Sequence, residues 1–203
     1  MNNFSNQDSG SLSLTDVLLS RRSIKAVTAP GPTAEQVELA LKAAVCAPDH
    51  AALRVWRYTL IEQPHVKEFA ERVFDILDKA GKPISDEKKE KARKWLKDVP
   101  LLVALAYKIH HDNPKVPVIE QTLSMGASVM NFQNAMHAMG FATFWSTGLG
   151  TFTDEVPELL GYDPLDYQFV GFLSVGTPMV AASTSERPDP SSVMRRWTPS
   201  SEH

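Results

Sequence analysis

Two guanidiniums beside a hydroxyl, Arg21-Arg22-Ser23, form the group in this chain best suited to holding an anion. They follow Leu18-Leu19-Ser20 at the end of an apolar helical pattern, and the planar fork of arginine can grip phosphate oxygens two at a time. The same residues also read as ordinary surface groups, since cations at a helix C-terminus gain about 0.3–1 kcal/mol from the helix dipole. A second polar stretch runs from Ala47-Pro48-Asp49-His50 to Arg54-Val55-Trp56-Arg57. It turns at Pro48 and brings Arg54 to the start of a strand, and His50 there could simply cap or fold its own loop. Arg187, in Ser185-Glu186-Arg187-Pro188, reads by itself as an exposed tail residue.

Other chemistries find less support. Thr147-Gly148-Leu149-Gly150-Thr151-Phe152 begins like a dinucleotide loop but lacks the third glycine, and no Gly-rich loop ends in Gly-Lys-Ser/Thr. No serine sits in a Gly-x-Ser-x-Gly elbow. His110 and His111 are adjacent, so on an extended segment they point to opposite sides and do not share a metal, which argues for a surface turn. Cys46 has no Cys-x-x-Cys partner and ends an apolar helical pattern, which predicts a core residue.

The 203 residues suit one domain with a real core; 43% are hydrophobic and 22% charged, the balance of a globular protein. A formal charge of −3 gives no reason to expect nucleic-acid binding. A single cysteine permits no internal disulfide and favours a reducing compartment. Met1 to Gly10 carries no apolar signal core, and no apolar run is long enough to cross a bilayer. These features predict a cytoplasmic protein with no membrane partner. Residues 1–11 read as a disordered lead, and 12–203 as a single domain with an extended C-terminal tail.

The elements that must position the polar groups follow from capping and periodicity. Ser13 caps a first helix, with Asp16 three residues on, and Thr33 with Gln36 opens a second that bears Val37, Ala40, Leu41, Ala44 and Val45 on one face and ends at Pro48. Arg54 to Ile61 reads as a strand. His65 to Lys97 is charged and helical, broken at Gly81-Lys82-Pro83, and its Lys and Glu residues predict a solvated face. Val99 to Tyr107 fits a buried central strand. Val118 to Met139 is the longest helical pattern, closed by Gly140; its small and flexible residues, among them Gly126, Ala127, Ser128 and Met130, predict a central helix at a subunit interface. Strands follow at Phe141–Trp145 and Tyr167–Val175, with a short helix between them at Asp154–Leu160. The tail from Thr177 holds Pro178, Pro188, Pro190 and Pro199 and is expected to be extended. The result is an α+β domain.

Taken in order, these stretches resemble the FMN-dependent nitroreductase family, in particular its smallest branch, from about Leu12 to Trp197. The resemblance rests on Arg21-Arg22-Ser23, the Ala47–Arg57 loop, Val116-Pro117, Glu120-Gln121, Ser124, Gly126, Val129-Met130, Gln133, Gly140-Phe141, Trp145-Ser146-Thr147-Gly148 and Arg187. It implies a three-layer sandwich with a mostly antiparallel central sheet flanked by helices, in a homodimer with FMN at the subunit interface. Arg21, Arg22 and Ser23 would bind the FMN phosphate and ribityl chain, and Arg187 would complete the phosphate grip. His50 would face the flavin, that of its own subunit or of the partner. Arg54 would reach the ring edge, and the Thr147–Gly148 backbone would offer donors to the ring beside Trp145 and Ser146. Three positions depart from the family pattern: Cys46 where an arginine can touch FMN, Val55 where larger members carry a proline, and Ser146 where the small branch carries an arginine. The implied activity is ping-pong hydride transfer from NADH or NADPH through FMN to a nitroaromatic, a quinone or a similar small acceptor, with no acid–base residue required. The alternatives are a flavin-binding or partner-binding protein with little turnover, or another flavin chemistry such as ene-reduction, dehalogenation or flavin cleavage.

Overall fold

A computed structural model describes residues 13–182 and 186–198. The expected disordered lead, 1–11, and Ser185 and Pro199 of the expected tail lie outside them.

Both predicted capping boxes form. Ser13 Oγ accepts the Asp16 N–H at 3.1 Å to open helix α1 (Leu14–Ser20), and Thr33 and Gln36 exchange the same pair of bonds to open α2 (Ala34–Ala44). α2 ends at Ala44, four residues before Pro48, so Val45 stands exposed rather than on the buried face. Strand β1 (Val27–Thr28) lies between the two helices. Strand β2 (Trp56–Glu62) is followed by α3 (His65–Lys79) and α4 (Asp86–Leu96), separated at the predicted Gly81–Pro83 break. Their charged residues cover only one face: Val66, Phe69, Val73, Phe74 and Leu77 of α3 and Leu96 of α4 are core residues. Strand β3 (Leu101–Lys108), the long helix α5 (Val118–Ala138), β4 (Ala142–Ser146), the short α6 (Glu155–Leu159) and β5 (Tyr167–Pro178) complete the order. Gly140 closes α5 with φ +86°, as its glycine predicted.

The named strands pair antiparallel throughout, in the order β1-β5-β3-β2, with β4 along the other side of β5. β5 runs three residues beyond the expected end because β1 pairs with its tip, Val27 opposite Pro178. β3 is central and buried on both faces. Leu101, Val103, Leu105 and Tyr107 meet α2 and α5 on one side, while Leu102, Ala104 and Ala106 meet the α3, α4 and α6 layer on the other. The three-layer sandwich expected from the resemblance is therefore present. Among the described residues, no helix is long and apolar enough to cross a membrane.

Candidate functional site

The chain gathers the candidate residues into two groups, one at each end of α5. The first group forms where the segment after α1 lies along β4: Ser23 bridges Thr143, and the Ile24 N–H donates to the Thr143 carbonyl at 3.1 Å. Arg21, Arg22 and Ser23 thereby sit beside Trp145, Ser146, Thr147 and Gly148, which end β4 and begin the next loop. Arg187 joins them from the tail, its Nη2 donating to the Arg21 carbonyl at 2.9 Å.

The two arginines of the pair are not equivalent. Arg22 turns back on its helix, Nη1 donating to the carbonyls of Leu19 (2.8 Å) and Arg21 (3.0 Å). Among the described residues Arg21 Nη1 is buried and has no partner, and Arg22 Nε is in the same state. Burial, then the charges of Arg187 and Arg22, hold the Arg21 guanidinium below its ordinary pKa. Buried donors without acceptors beside crowded positive charge are what an anion site requires, so these residues fit a phosphate. His137, near the C-terminus of α5, meets Ser20 Oγ at 2.8 Å; burial and then Arg21 push its pKa down. It adds a neutral hydrogen-bonding group to this corner. Nothing in the sequence pattern marked it, because the contact joins residues 20 and 137.

The second group lies on the loop between α2 and β2. Ala51, Ala52 and Arg54 adopt positive φ (59°, 53° and 52°), which is costly without glycine. The Asp49 carboxylate holds this turn by accepting the N–H groups of Leu53 (3.1 Å) and Arg54 (2.8 Å). The stiffness a proline would have given at Val55 thus comes from Asp49, and Val55 is buried in the core. His50 Nδ1 lies 2.7 Å from Glu120 at the start of α5. The Trp56 indole donates to Ser124 Oγ at 3.0 Å, and that hydroxyl donates to the Pro48 carbonyl at 2.6 Å. Arg54 is exposed and lines a hollow of about 510 Å³ with Asp49, Trp56 and Arg57. Cys46 is exposed, which corrects the core assignment: α2 has already ended, and the thiol bonds only the Lys42 carbonyl at 3.2 Å.

The loop after β4 shows a second difference. Ser146 Oγ accepts the Gly148 N–H at 3.1 Å, so one of the two backbone donors expected to face outward is occupied within the loop. The Trp145 indole, on a residue 37% exposed, donates to the Val170 carbonyl at 2.9 Å. That carbonyl belongs to a bulge in β5, where the register with β3 shifts between Leu105 and Ala106, and Gly171 beside it has φ +113°.

The two groups stand far apart. Seventeen residues of α5 separate Glu120, which meets the second group, from His137, which meets the first, or about 25 Å of helix. Both sit at sheet edges, β4 on one side and β2 on the other, with β5 and β3 between them.

The sequence pattern of the Nitroreductase family matches residues 18–177. The chain is 36% identical over 178 residues to the Escherichia coli (strain K12) protein named "Putative NAD(P)H nitroreductase YdjA", covering 86% of this chain and 94% of that one. The chain belongs to the nitroreductase family. Solved structures share the fold. A nitroreductase-like family protein from Bacillus cereus superposes with a TM-score of 0.75 at 20% identity, covering 94% of this chain and 99% of that one. A Desulfovibrio desulfuricans protein solved in complex with FMN gives 0.71 at 17% identity, covering 94% and 100%.

Within this nitroreductase fold the Asp49 clasp yields a local prediction. Asp49→Ala removes the acceptor for two backbone donors, worth about 1.5–3 kcal/mol for bonds to a charged group. Because the loop is exposed, the loss is local: trypsin cleavage at Arg54 should accelerate while the global melting temperature stays near that of the wild type. Unchanged cleavage would show that the turn holds itself.

Proposed function

We propose that the chain is an FMN-dependent NAD(P)H oxidoreductase that reduces nitroaromatics, quinones or similar small acceptors, working as a homodimer with FMN at the subunit interface. The observation that carries this reading is the unpartnered buried donor of Arg21 beside Arg187, at the one end of α5 where a phosphate fits. The Desulfovibrio neighbour in complex with FMN and the NAD(P)H name of the Escherichia coli relative support it.

The separation of the two groups supports the dimer. Ile119, Leu123, Gly126 and Met130 follow one another at helical spacing along the outer face of α5; the three large ones are 62%, 66% and 43% exposed, and a Cβ on Gly126 would meet nothing. Leu14, Leu18 and Leu19 of α1 and Leu39 of α2 are exposed as well. A large apolar face of this kind calls for a partner. Two copies joined across it by a twofold axis, with their α5 helices antiparallel, set the His50–Arg54 loop of one against the Arg21–Gly148 group of the other.

In this reading FMN supplies the hydride-accepting and hydride-donating chemistry when bound, and two electrons travel with a proton from the reduced nicotinamide to the acceptor. Arg21 and Arg187 hold the phosphate end, Ser23 adds a hydroxyl, and Arg22 fixes the end of α1. Trp145 to Gly148 form one wall of the ring site, and His50 and Arg54 of the second copy form the other. Residues 12–203 act together as one FMN-binding domain.

The test is a titration of the purified protein with FMN, followed in the visible spectrum and by sedimentation, then NADPH and NADH oxidation with and without a nitrofuran or a quinone. The expected result is saturable binding of one FMN per chain in a two-chain particle, with oxidation stimulated by the acceptor. No saturable FMN binding sinks the reading. A yellow but inert dimer would favour a flavin-binding protein with little turnover.

A further inference from the structure

We infer that a lysine-lined trough running from the Ser146–Gly150 loop along α4 receives the phosphorylated adenosine half of NADPH, so that the enzyme prefers NADPH to NADH. This rests on the FMN reading above, because it takes the loop after β4 as the place where the nicotinamide end lies.

Two adjoining cavities form the trough. One, of about 330 Å³, is lined by Lys25, Lys88, Lys91, Trp95 and the Ser146–Gly150 loop, with Phe74 and Ile84 at its floor. The other, of about 550 Å³, shares Lys25, Lys91 and Trp95 with the first and continues to Lys94, Lys97 and Met179. Five lysines therefore line the two cavities, and among the described residues Asp98 is the only acidic one lining them. Lys91 pairs with Glu87, whereas Lys25, Lys88, Lys94 and Lys97 form no ion pair among the described residues. Lys94 and Lys97 also rim a hollow on the far side of α4, where Glu71 and Glu90 stand, but both carboxylates there are engaged by Arg93.

Helix-dipole complementarity does not account for the cluster. It would explain Lys94 at the last turn of α4, but not Lys88 in the first turn, where the dipole disfavours a cation, or Lys25, which arrives from the segment after Ser23. Lys25 Nζ lies 5.3 Å from the centre of the Trp95 ring and 5.7 Å from that of Phe144, so it is held over aromatic rings beside the trough.

The dimensions fit a dinucleotide. From Lys88 to Lys97 the chain advances about 14 Å along α4; the span from a pyrophosphate to the 2′-phosphate of its adenosine ribose is shorter, and the long flexible side chains of lysines spread along this length can reach both groups. With the nicotinamide at the Ser146–Gly150 loop, the pyrophosphate meets Lys25, Lys88 and Lys91. The 2′-phosphate, present in NADPH and absent from NADH, meets Lys94 and Lys97. An apolar acceptor such as a quinone would gain nothing from these charges. A long nucleic acid is disfavoured by a net charge of −3 over the chain and by the confinement of the cations to one trough.

Adenosine 2′,5′-bisphosphate and 5′-AMP, which carry no redox group, test the site by calorimetry on the FMN-loaded protein, alongside kcat/KM for NADPH and NADH. Two extra charge-assisted contacts should make the bisphosphate bind at least about tenfold more tightly than AMP, and raise kcat/KM for NADPH over NADH by a similar factor. In Lys94→Gln/Lys97→Gln both ratios should fall to about twofold or less, with FMN occupancy and melting temperature retained. Equal binding of the two nucleotides, ratios unmoved by the double substitution, or tighter binding of a single-stranded oligonucleotide would each overturn the inference. Because FMN occupancy is read separately from the spectrum, its loss in the wild type would mark failure of the cofactor reading instead.

Discussion

Arg21→Ala should weaken FMN binding by about 10- to 150-fold, the loss of one charge-assisted contact of roughly 1.5–3 kcal/mol. Arg22→Ala should cost only about threefold, near the low end of a net hydrogen bond. The asymmetry comes from what each guanidinium already does. Arg22 Nη1 is committed to the carbonyls of Leu19 and Arg21, leaving mainly Nε for a ligand, whereas Arg21 Nη1 is buried with no partner among the described residues. The free protein supplies a sharper criterion. Arg21 is held below its ordinary pKa by burial and then by the charges of Arg187 and Arg22, so its charge is unfavourable until an anion arrives. Removing it should leave the melting temperature of the FMN-free protein unchanged or raised, and lower that of the FMN-loaded protein through the lost linkage. Equal and negligible effects of the two substitutions on FMN affinity would remove Arg21 from the site. A matching fall in stability with and without FMN would make it a structural residue.

Local signals wrote most of this fold into the sequence. The boxes Ser13/Asp16 and Thr33/Gln36 act over three residues, Gly140 acts on its own backbone, and the short apolar Val99–Tyr107 run, bounded by charge, fits a buried strand, which is found at Leu101–Lys108. What escaped depends on distant partners. β1 has two residues and exists because the tip of β5 pairs with it. Cys46 and Val45 continue the apolar pattern of α2, but the helix stops at Ala44 and leaves both in solvent. Side-chain chemistry left Arg21-Arg22-Ser23 open between a phosphate cradle and ordinary cations at a helix end, and the family resemblance favoured the first. That Arg22 would be occupied by its own helix and Arg21 left free was not legible, because the choice is made by rotamers at a helix end. The Asp49 clasp was equally hidden: the motif shows an aspartate before a turn, but three positive φ values without glycine follow only from the folded loop. The separation of the site residues across about 25 Å of α5 was invisible as well. A linear order of motifs lists candidate residues; the topology sets them at opposite ends of α5, and the proposed dimer rests on that separation.

Gly171→Ala should be the most damaging single-methyl change in the chain. At φ +113° an L-residue is strained by roughly 1–3 kcal/mol, and this position is closed on its other side too. A Cβ there would lie 2.5 Å from the Ser146 carbonyl oxygen and 3.2 Å from Trp145 Nε1. Backbone in the strand alongside cannot swing away as a flexible side chain could, so β4 must shift or the bulge must flatten. Either response breaks the bond from the Trp145 indole to the Val170 carbonyl, which depends on the bulge. Strain and overpacking together give about 2–4 kcal/mol, or a fall in melting temperature of about 5–15 °C for a chain of this size. The site should register the change separately from the fold. In the proposed FMN site Ser146 and Trp145 form the wall beside Arg21, so FMN affinity measured well below the melting transition should fall as well. The control is Gly81→Ala, which shares the positive φ (+72°) but has nothing within reach of a Cβ and lies in the turn between α3 and α4. It should lose stability only through backbone strain and leave FMN affinity unmoved. If Gly171→Ala behaved like Gly81→Ala in both measurements, the bulge would be a detail of strand pairing and not the device that sets the wall of the site.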